Sequence, residues 1–196
     1  MGRKETECLI IGTGIAGATC ALTAAQAGLK VTLITKRRDP ILTNTNRAQG
    51  GIVFKGKDDS VELIKEDILR AGRGINSIEA VDFLARNGPD IVEEVLIKGL
   101  HVNFTHLTTA QDEMYDLTRE AAHSVKRILY SADHTGHEIE TALIEGLKAY
   151  PNLELITDAT AIDLITLQHH SSDIQAQYVL RDRCLGVYCY RNLTKE

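Results

Sequence analysis

An α/β fold built on a doubly wound parallel sheet is what this sequence predicts, and three observations carry the prediction. The stretch "CLIIGTGIAGATCALTAAQAGLKVTLITK" runs from an apolar strand through a glycine-rich turn and an alanine-rich helix into a second apolar strand. It does so in roughly 30 residues, the length of a βαβ unit. A later helix leads into a third apolar strand, "LELIT". Three strand-like runs joined by polar turns then close the chain, as expected of a β-meander beside such a sheet.

The elements follow in order. Residues 7–12 read as a buried strand, residues 14–28 as a helix ended by Gly28, and "KVTLIT" as the second strand. A polar, irregular stretch and a short strand, "GIVF", complete a first section, 1–54. In the section 55–133, Asp59 is expected to start a helix with Glu62 in a capping box, and Leu63, Ile64, Ile68 and Leu69 follow at helical spacing. Another helix begins at Ser77. "NGPD" is expected to break it, with Pro89 opening a further helix that carries Ile91, Val92, Val95 and Leu96. "HVNF" reads as a short strand, and residues 105–133 have no clear period. In the section 134–190, Thr135 caps a helix whose inner stripe is Ile139, Leu143 and Leu147. "LELIT" and the meander strands "ATAIDLITL", "AQYVLR" and "CLGVYCYR" follow. The three sections read as one domain.

The totals exclude several classes. The chain has 196 residues, a net charge of -5 and 43% hydrophobic residues, enough to bury a core and no reason to expect nucleic acid or an anionic membrane as partner. No apolar run approaches the ~18 residues of a membrane span. The charged start "MGRKETE" lacks the apolar stretch expected of a signal peptide. Cys8 and Cys20 fall on the expected core faces of the first strand and helix. Cys184 and Cys189 are poorly spaced for a metal or a disulfide, so the reading is a reduced, cytoplasmic protein with no metal site. The sequons at Asn103 and Asn192 are then chance matches.

"GTGIAG" places Gly12, Gly14 and Gly17 in the G-x-G-x-x-G pattern after a strand and at the start of a helix. Gly12 permits the tight turn, Gly14 the approach of a pyrophosphate, and Gly17 close packing of helix on strand. The helix N-terminus offers N–H groups and a positive dipole end to phosphates. This is a Rossmann-like dinucleotide cradle. The acid that commonly closes its second strand is replaced by Thr35 and Lys36. Three readings stay open from the residues alone: Lys36 on a 2′-phosphate (NADP), a ribose held by backbone groups and water, or a dead site.

"TNTNRAQGG", residues 43–51, sets Asn44, Thr45, Asn46, Arg47, Ala48 and Gln49 before the consecutive Gly50 and Gly51. Small polar groups and bare backbone suit the edge and face of a flat ligand. A third segment, "LTREAAHSVKRILYSADHTGHEIETAL", adds T-R-E-x-x-H-S and a D-x-T-G before a helix.

With these three segments the chain resembles the N-terminal part of the L-aspartate oxidases, in the succinate dehydrogenase/fumarate reductase flavoprotein superfamily. The resemblance implies FAD as the nucleotide, which selects among the three readings. It places Thr13, Gly14, Ile15 and Ala16 at the pyrophosphate and Lys36 near the adenosine ribose. It places residues 44–51 along the flavin, and Ala161 at the adenine through its backbone. Asn44 stands where complex-bound relatives carry the histidine that bonds FAD, so the cofactor is expected to be non-covalent. Glu120, of the T-R-E run, is expected to face the amino group of the substrate. An ammonium losing water in a flavin pocket needs an anion, which argues for L-aspartate over succinate. His123 and Ser124 receive no firm role.

The implied reaction is oxidation of L-aspartate to iminoaspartate with oxygen or fumarate as acceptor, feeding quinolinate and NAD synthesis with quinolinate synthase as a partner. The alternatives are a soluble fumarate reductase-like flavoprotein and a non-catalytic nucleotide-binding remnant. Ala121 and Ala122 depart from two glycines of the family, and Arg47 from an aromatic residue; a charge at 47 needs an anion or open solvent. The proton-transferring arginine, the other carboxylate-gripping residues and a last parallel strand of the family have no match in these 196 residues. An incomplete active site and an open edge on the first strand are therefore expected.

Overall fold

A computed structural model describes residues 2–108, 113–120, 122–178 and 180–191. Expectations that fall on Ala121 or on the sequon at Asn192 lie outside the described residues. The chain divides into two compact units, residues 1–43 with 144–196, and residues 44–143.

The first unit holds the predicted parallel sheet. Strand β1 (Cys8–Ile11) leads into helix α1 (Ile15–Gln26) and strand β2 (Val31–Ile34), and β2 lies between β1 and β8 (Leu153–Ile156), parallel to both. All four residues of β2 are buried, as a central strand requires. Among the described residues β1 pairs with β2 alone. Ala18, Ala21, Leu22 and Ala25 form the buried stripe of α1. Cys20 falls outside that i, i+3, i+4, i+7 stripe and is exposed, and Cys8 is only half-buried; the expectation of two buried thiols is corrected. Gly28 ends the helix at φ +85°, in the left-handed region that glycine enters without penalty.

The expected three-stranded meander has two strands. β9 (Ala159–Thr166) pairs antiparallel with β10 (Cys184–Arg191), and "AQYVLR" contributes to helix α6 (Ile174–Tyr178), after the short α5 (Leu167–His170). The Asp173 carboxylate accepts from the Gln175 amide at 2.8 Å, so the helix start satisfies its own backbone and the Gln-Ala-Gln run continues it.

The second unit contains the short β3 (Ile52–Val53), helices α2 (Val61–Gly72) and α3 (Ile78–Ile91), the hairpin β4 (His106–Thr108) and β5 (Glu113–Tyr115), and strands β6 (Leu117–Thr118) and β7 (Ile128–Leu129). β7 lies between β3 and β6, antiparallel to both. Helix α4 (Thr135–Leu147) leaves this unit for the first. Its stripe Ile139, Leu143 and Leu147 is buried as expected.

Four local expectations are corrected here. Ser60, not Asp59, caps α2 by accepting from the Leu63 amide at 3.1 Å, because the Asp59 carboxylate is taken by Arg127. Pro89 does not open a new helix; α3 runs through it. The ring of a proline clashes with the Cβ of a helical residue before it, and Gly88 has none. The helix then widens over Val92–Gly99, where the Leu100 amide reaches back to the Val95 carbonyl at 2.9 Å. "HVNF" is not a strand: His101 has φ +52°, and the amides of His101 and Val102 cap the preceding helix on the carbonyls of Ile97 and Leu96. Thr135 does not cap α4. It is the first helical residue, and its buried hydroxyl accepts from the Ser131 amide at 2.9 Å, while the His134 carbonyl takes the first amides of the helix. The helix expected to begin at Ser77 is α3, and the Ser77 hydroxyl caps it by accepting from the Ala80 amide.

Candidate functional site

The glycine turn of the first unit has the geometry its spacing requires. Gly12 sits at φ +100°, and its amide donates to the Ile34 carbonyl at 2.8 Å, tying the turn to the end of β2. A Cβ on Gly17 would lie 2.0 Å from the Gly12 carbonyl oxygen, so α1 packs on the turn only because Gly17 has no side chain. Gly14 is the N-cap, with extended backbone. Glycine has no side chain to cap α1, and no acid of the helix itself occupies its first turn, where the positive end of the dipole lies. Ile15 and Ala16 follow in that first turn.

Thr13 is buried: its hydroxyl donates to the Pro40 carbonyl at 2.8 Å and lies 3.4 Å from the Thr35 hydroxyl. Its side chain therefore braces the loop after β2 and does not point at a ligand. Lys36 is exposed just beyond β2, and the half-buried Ala161 lies in β9 opposite Cys189. These residues fit a dinucleotide pyrophosphate: a tight turn, a bare backbone and a helix start with no acid in its first turn.

The second unit carries the other two segments. Thr45–Arg47 form a single 3₁₀ turn after Asn44, and Ala48, Gln49, Gly50 and Gly51 follow with their surfaces exposed. Arg47 stands in open solvent, one of the two environments its charge needs. Packing within the chain also calls for the paired glycines. Among the described residues neither has a positive φ. A Cβ on Gly51 would lie 2.2 Å from both the Ile128 side chain and the Leu129 carbonyl of β7, and one on Gly50 would lie 3.2 Å from Oε1 of Glu120. The missing side chains make room for this chain's own strand and carboxylate.

Gly136 acts likewise. A Cβ there would lie 1.9 Å from the Thr45 carbonyl, and its amide donates to the Ala48 carbonyl at 2.9 Å. His137 adds a bond of 2.8 Å between its Nδ1 and Oδ1 of Asn46. The start of α4 thus holds residues 45–48 in place.

Glu120 is exposed and lies against Gly50. Among the described residues it forms no ion pair with Arg119 or Lys126. Its carbonyl accepts from the His123 amide at 2.9 Å, closing a tight turn. Ala122 has no positive φ among the described residues, so its position makes no demand for glycine.

Behind that turn lies a network that reading the sequence missed. Arg127 is fully buried, and its Nε and Nη2 donate to the two oxygens of Asp59, each at 2.7 Å. Its Nη1 donates to Asp67 at 2.6 Å and to Nδ1 of His123 at 3.0 Å. Asp67 also accepts from the amide and hydroxyl of Ser124, at 2.8 and 2.9 Å, and from Arg70. Burial would push the Asp67 carboxyl up. The bonds from the Ser124 amide, Arg127, the Ser124 hydroxyl and Arg70 outweigh this and hold it well below the usual carboxylate range. Burial likewise works against the charge on Arg127, and Asp59 and Asp67 more than restore it. Two signals pointed here: Asp67 falls three residues after the buried Ile64 on the inner face of α2, and Arg127 directly precedes the buried pair Ile128 and Leu129.

Residues 7–195 match the family described as FAD binding domain. The chain belongs to that family. FAD is accordingly its cofactor. The chain is 43% identical over 161 residues to the L-aspartate oxidase of Halobacterium salinarum, covering 82% of this chain and 30% of that protein. It is 40% identical over 189 residues to a chloroplastic L-aspartate oxidase of Nicotiana tabacum, covering 95% of this chain and 27% of that protein. It thus spans less than a third of the length of either relative. Among solved structures, an E. coli quinol fumarate reductase chain superposes with a TM-score of 0.76 at 23% identity, over 84% of this chain and 28% of that one. A flavocytochrome c3 fumarate reductase superposes with a TM-score of 0.72 at 24% identity, over 94% of this chain and 31% of that one. These two likenesses show a shared fold. No helix among the described residues is long and apolar enough to cross a membrane.

Proposed function

We propose that this FAD binding domain chain serves an L-aspartate oxidase, with the reaction L-aspartate to iminoaspartate and oxygen or fumarate as the final acceptor. The observation that carries the reading is the carboxylate of Glu120, set 3.2 Å from where a Gly50 Cβ would stand and left without an ion pair to Arg119 or Lys126. An anion without an ion pair among the described residues, beside the A-Q-G-G loop, suits an ammonium, which must be compensated once it loses water. A dicarboxylate without an amine gains nothing from it and binds less well.

Gly12, Thr13, Gly14, Ile15, Ala16 and Gly17 would hold the pyrophosphate through backbone N–H groups. Lys36 and Ala161 would lie along the adenosine, and residues 44–51 along the flavin. Bound FAD supplies the acceptor for the hydride that leaves the substrate carbon. Asn44 cannot make the carbon–nitrogen bond a histidine makes to the flavin, so the cofactor is held without a covalent link. The product would supply quinolinate formation, and the setting is the reducing cytoplasm, where the exposed Cys20, Cys184 and Cys189 stay as thiols.

The test is a substrate comparison on the FAD-loaded protein. Glu120→Gln is expected to lose most of the preference for L-aspartate over succinate, and acid precipitation to release all of the yellow flavin. Preference unchanged by the substitution, or flavin that stays with the pellet, would sink the reading.

A further inference from the structure

The buried arginine behind the Glu120 turn dictates which nitrogen of His123 carries a proton. Arg127 has no acceptor, so its Nη1 can only donate to Nδ1 of His123, 3.0 Å away. Nδ1 therefore presents its lone pair, and the ring proton sits on Nε2. The tautomer is held firmly, because the same guanidinium is anchored on both oxygens of Asp59 and on Asp67. Around it the charges of Asp59 and Asp67 are balanced by those of Arg127 and Arg70. The turn is fixed on its other side by the Ser124 amide and hydroxyl on Asp67. Among the described residues, Arg127 is the one side chain bonded to the His123 ring, so Nε2–H is a fixed donor with no protein acceptor. The ring is half-buried, and its own amide closes the turn on the Glu120 carbonyl at 2.9 Å.

We infer that His123 is a substrate-binding residue: its Nε2–H donates to a carboxylate of the amino-dicarboxylate whose ammonium Glu120 receives. This rests on the proposed reading of Glu120. It assigns the two chemically distinct ends of one ligand to two residues of one turn, and makes Arg127 a positioning residue that acts through His123. A donor of fixed direction loses no orientational freedom when the carboxylate arrives, which is the advantage of holding the ring from behind.

The test is nitrogen NMR of the FAD-loaded protein labelled with 15N in histidine, titrated with L-aspartate and with succinate. The His123 signals are assigned by their loss in His123→Gln. The free protein is expected to show the Nε2–H tautomer at His123, and both ligands to shift its Nε2 signal, since both carry carboxylates. His123→Ala is expected to weaken both ligands about tenfold or more, the loss of one hydrogen bond to a charged group, and His123→Gln, which keeps an N–H donor, to recover part of that. A ring protonated on Nδ1 instead, a signal that neither ligand moves, or unchanged affinities in a folded His123→Ala protein would overturn the inference. The Glu120→Gln arm separates the two claims. If both ligands still move His123 but aspartate binds no differently after Glu120→Gln, the carboxylate donor stands and the amine reading falls. If the wild-type protein binds neither ligand, both fall.

Discussion

Replacing Gly136 with alanine separates local preference from tertiary packing, because the two predict opposite signs. Gly136 lies in the first turn of α4, where helix propensity alone would have alanine stabilise the protein by up to about 1 kcal/mol. The packing says otherwise. The new Cβ would start 1.9 Å from the Thr45 carbonyl, 2.7 Å from the Ala48 carbonyl and 2.9 Å from the Ala48 side chain, where ordinary contact begins at 3.4 Å. Residues 45–48 must retreat by more than an ångström, at an overpacking cost of about 1–3 kcal/mol. The retreat also breaks the bond from the Gly136 amide to the Ala48 carbonyl, worth about 1 kcal/mol. The propensity gain offsets only part of this, leaving a net loss of about 1–3 kcal/mol. For a chain of this size that lowers the melting temperature by about 2–4 °C per kcal/mol. Circular dichroism on thermal unfolding of the apoprotein reads the stability, and flavin fluorescence quenching reads FAD affinity, which is expected to fall because the displaced residues belong to the loop proposed to line the flavin. A melting temperature equal to or above that of the wild type would refute the reasoning.

Two further outcomes follow from the network behind Glu120. Asp59→Asn is expected to cost about 3–5 kcal/mol by leaving Arg127 buried with half of its anion, whereas Ser60→Ala, one residue on, loses only a helix cap worth about 1 kcal/mol; denaturant titration of both variants checks the contrast, and equal losses would contradict it. The depressed carboxyl of Asp67 makes stability pH-dependent in a definite direction: its contribution is fully present above the ordinary carboxylate pKa of about 3.9 and is lost as pH falls through the lower folded value. Below that ordinary value the group contributes a slope of about 1.4 kcal/mol per pH unit. The wild type minus Asp67→Asn difference in unfolding free energy should therefore be flat from pH 5 to 7 and shrink below about pH 4, and a difference that grows toward acid would be inconsistent with this account.

Much of the nucleotide cradle was legible in the sequence, because its determinants are local. Gly12, Gly14 and Gly17 lie within one turn, and the apolar runs on either side have the lengths of a strand and a helix. The same holds for the helix start at Ser77 and the stripe Ile139, Leu143 and Leu147. Where local rules misled, a neighbouring residue changed the outcome: Gly88 let α3 pass through Pro89, and Ser60 replaced Asp59 as the cap because the carboxylate had a distant engagement.

What the tertiary structure alone decided involves residues far apart in the chain. Arg127 meets Asp59 and Asp67 across some sixty residues, a pairing no periodicity encodes. Gly51 is bare because β7 passes over it, and Gly136 because the Thr45 carbonyl does, so the meaning of each glycine lies in the segment packed against it. The sequence by itself determined the dinucleotide turn and the presence of an acid at Glu120; folding decided that this acid stands beside Gly50 and that Arg127 meets Nδ1 of His123, three residues on. The physical reason is range: backbone conformation answers to the nearest few residues, whereas the placement of a charge answers to whichever distant groups the packed chain brings within hydrogen-bonding reach.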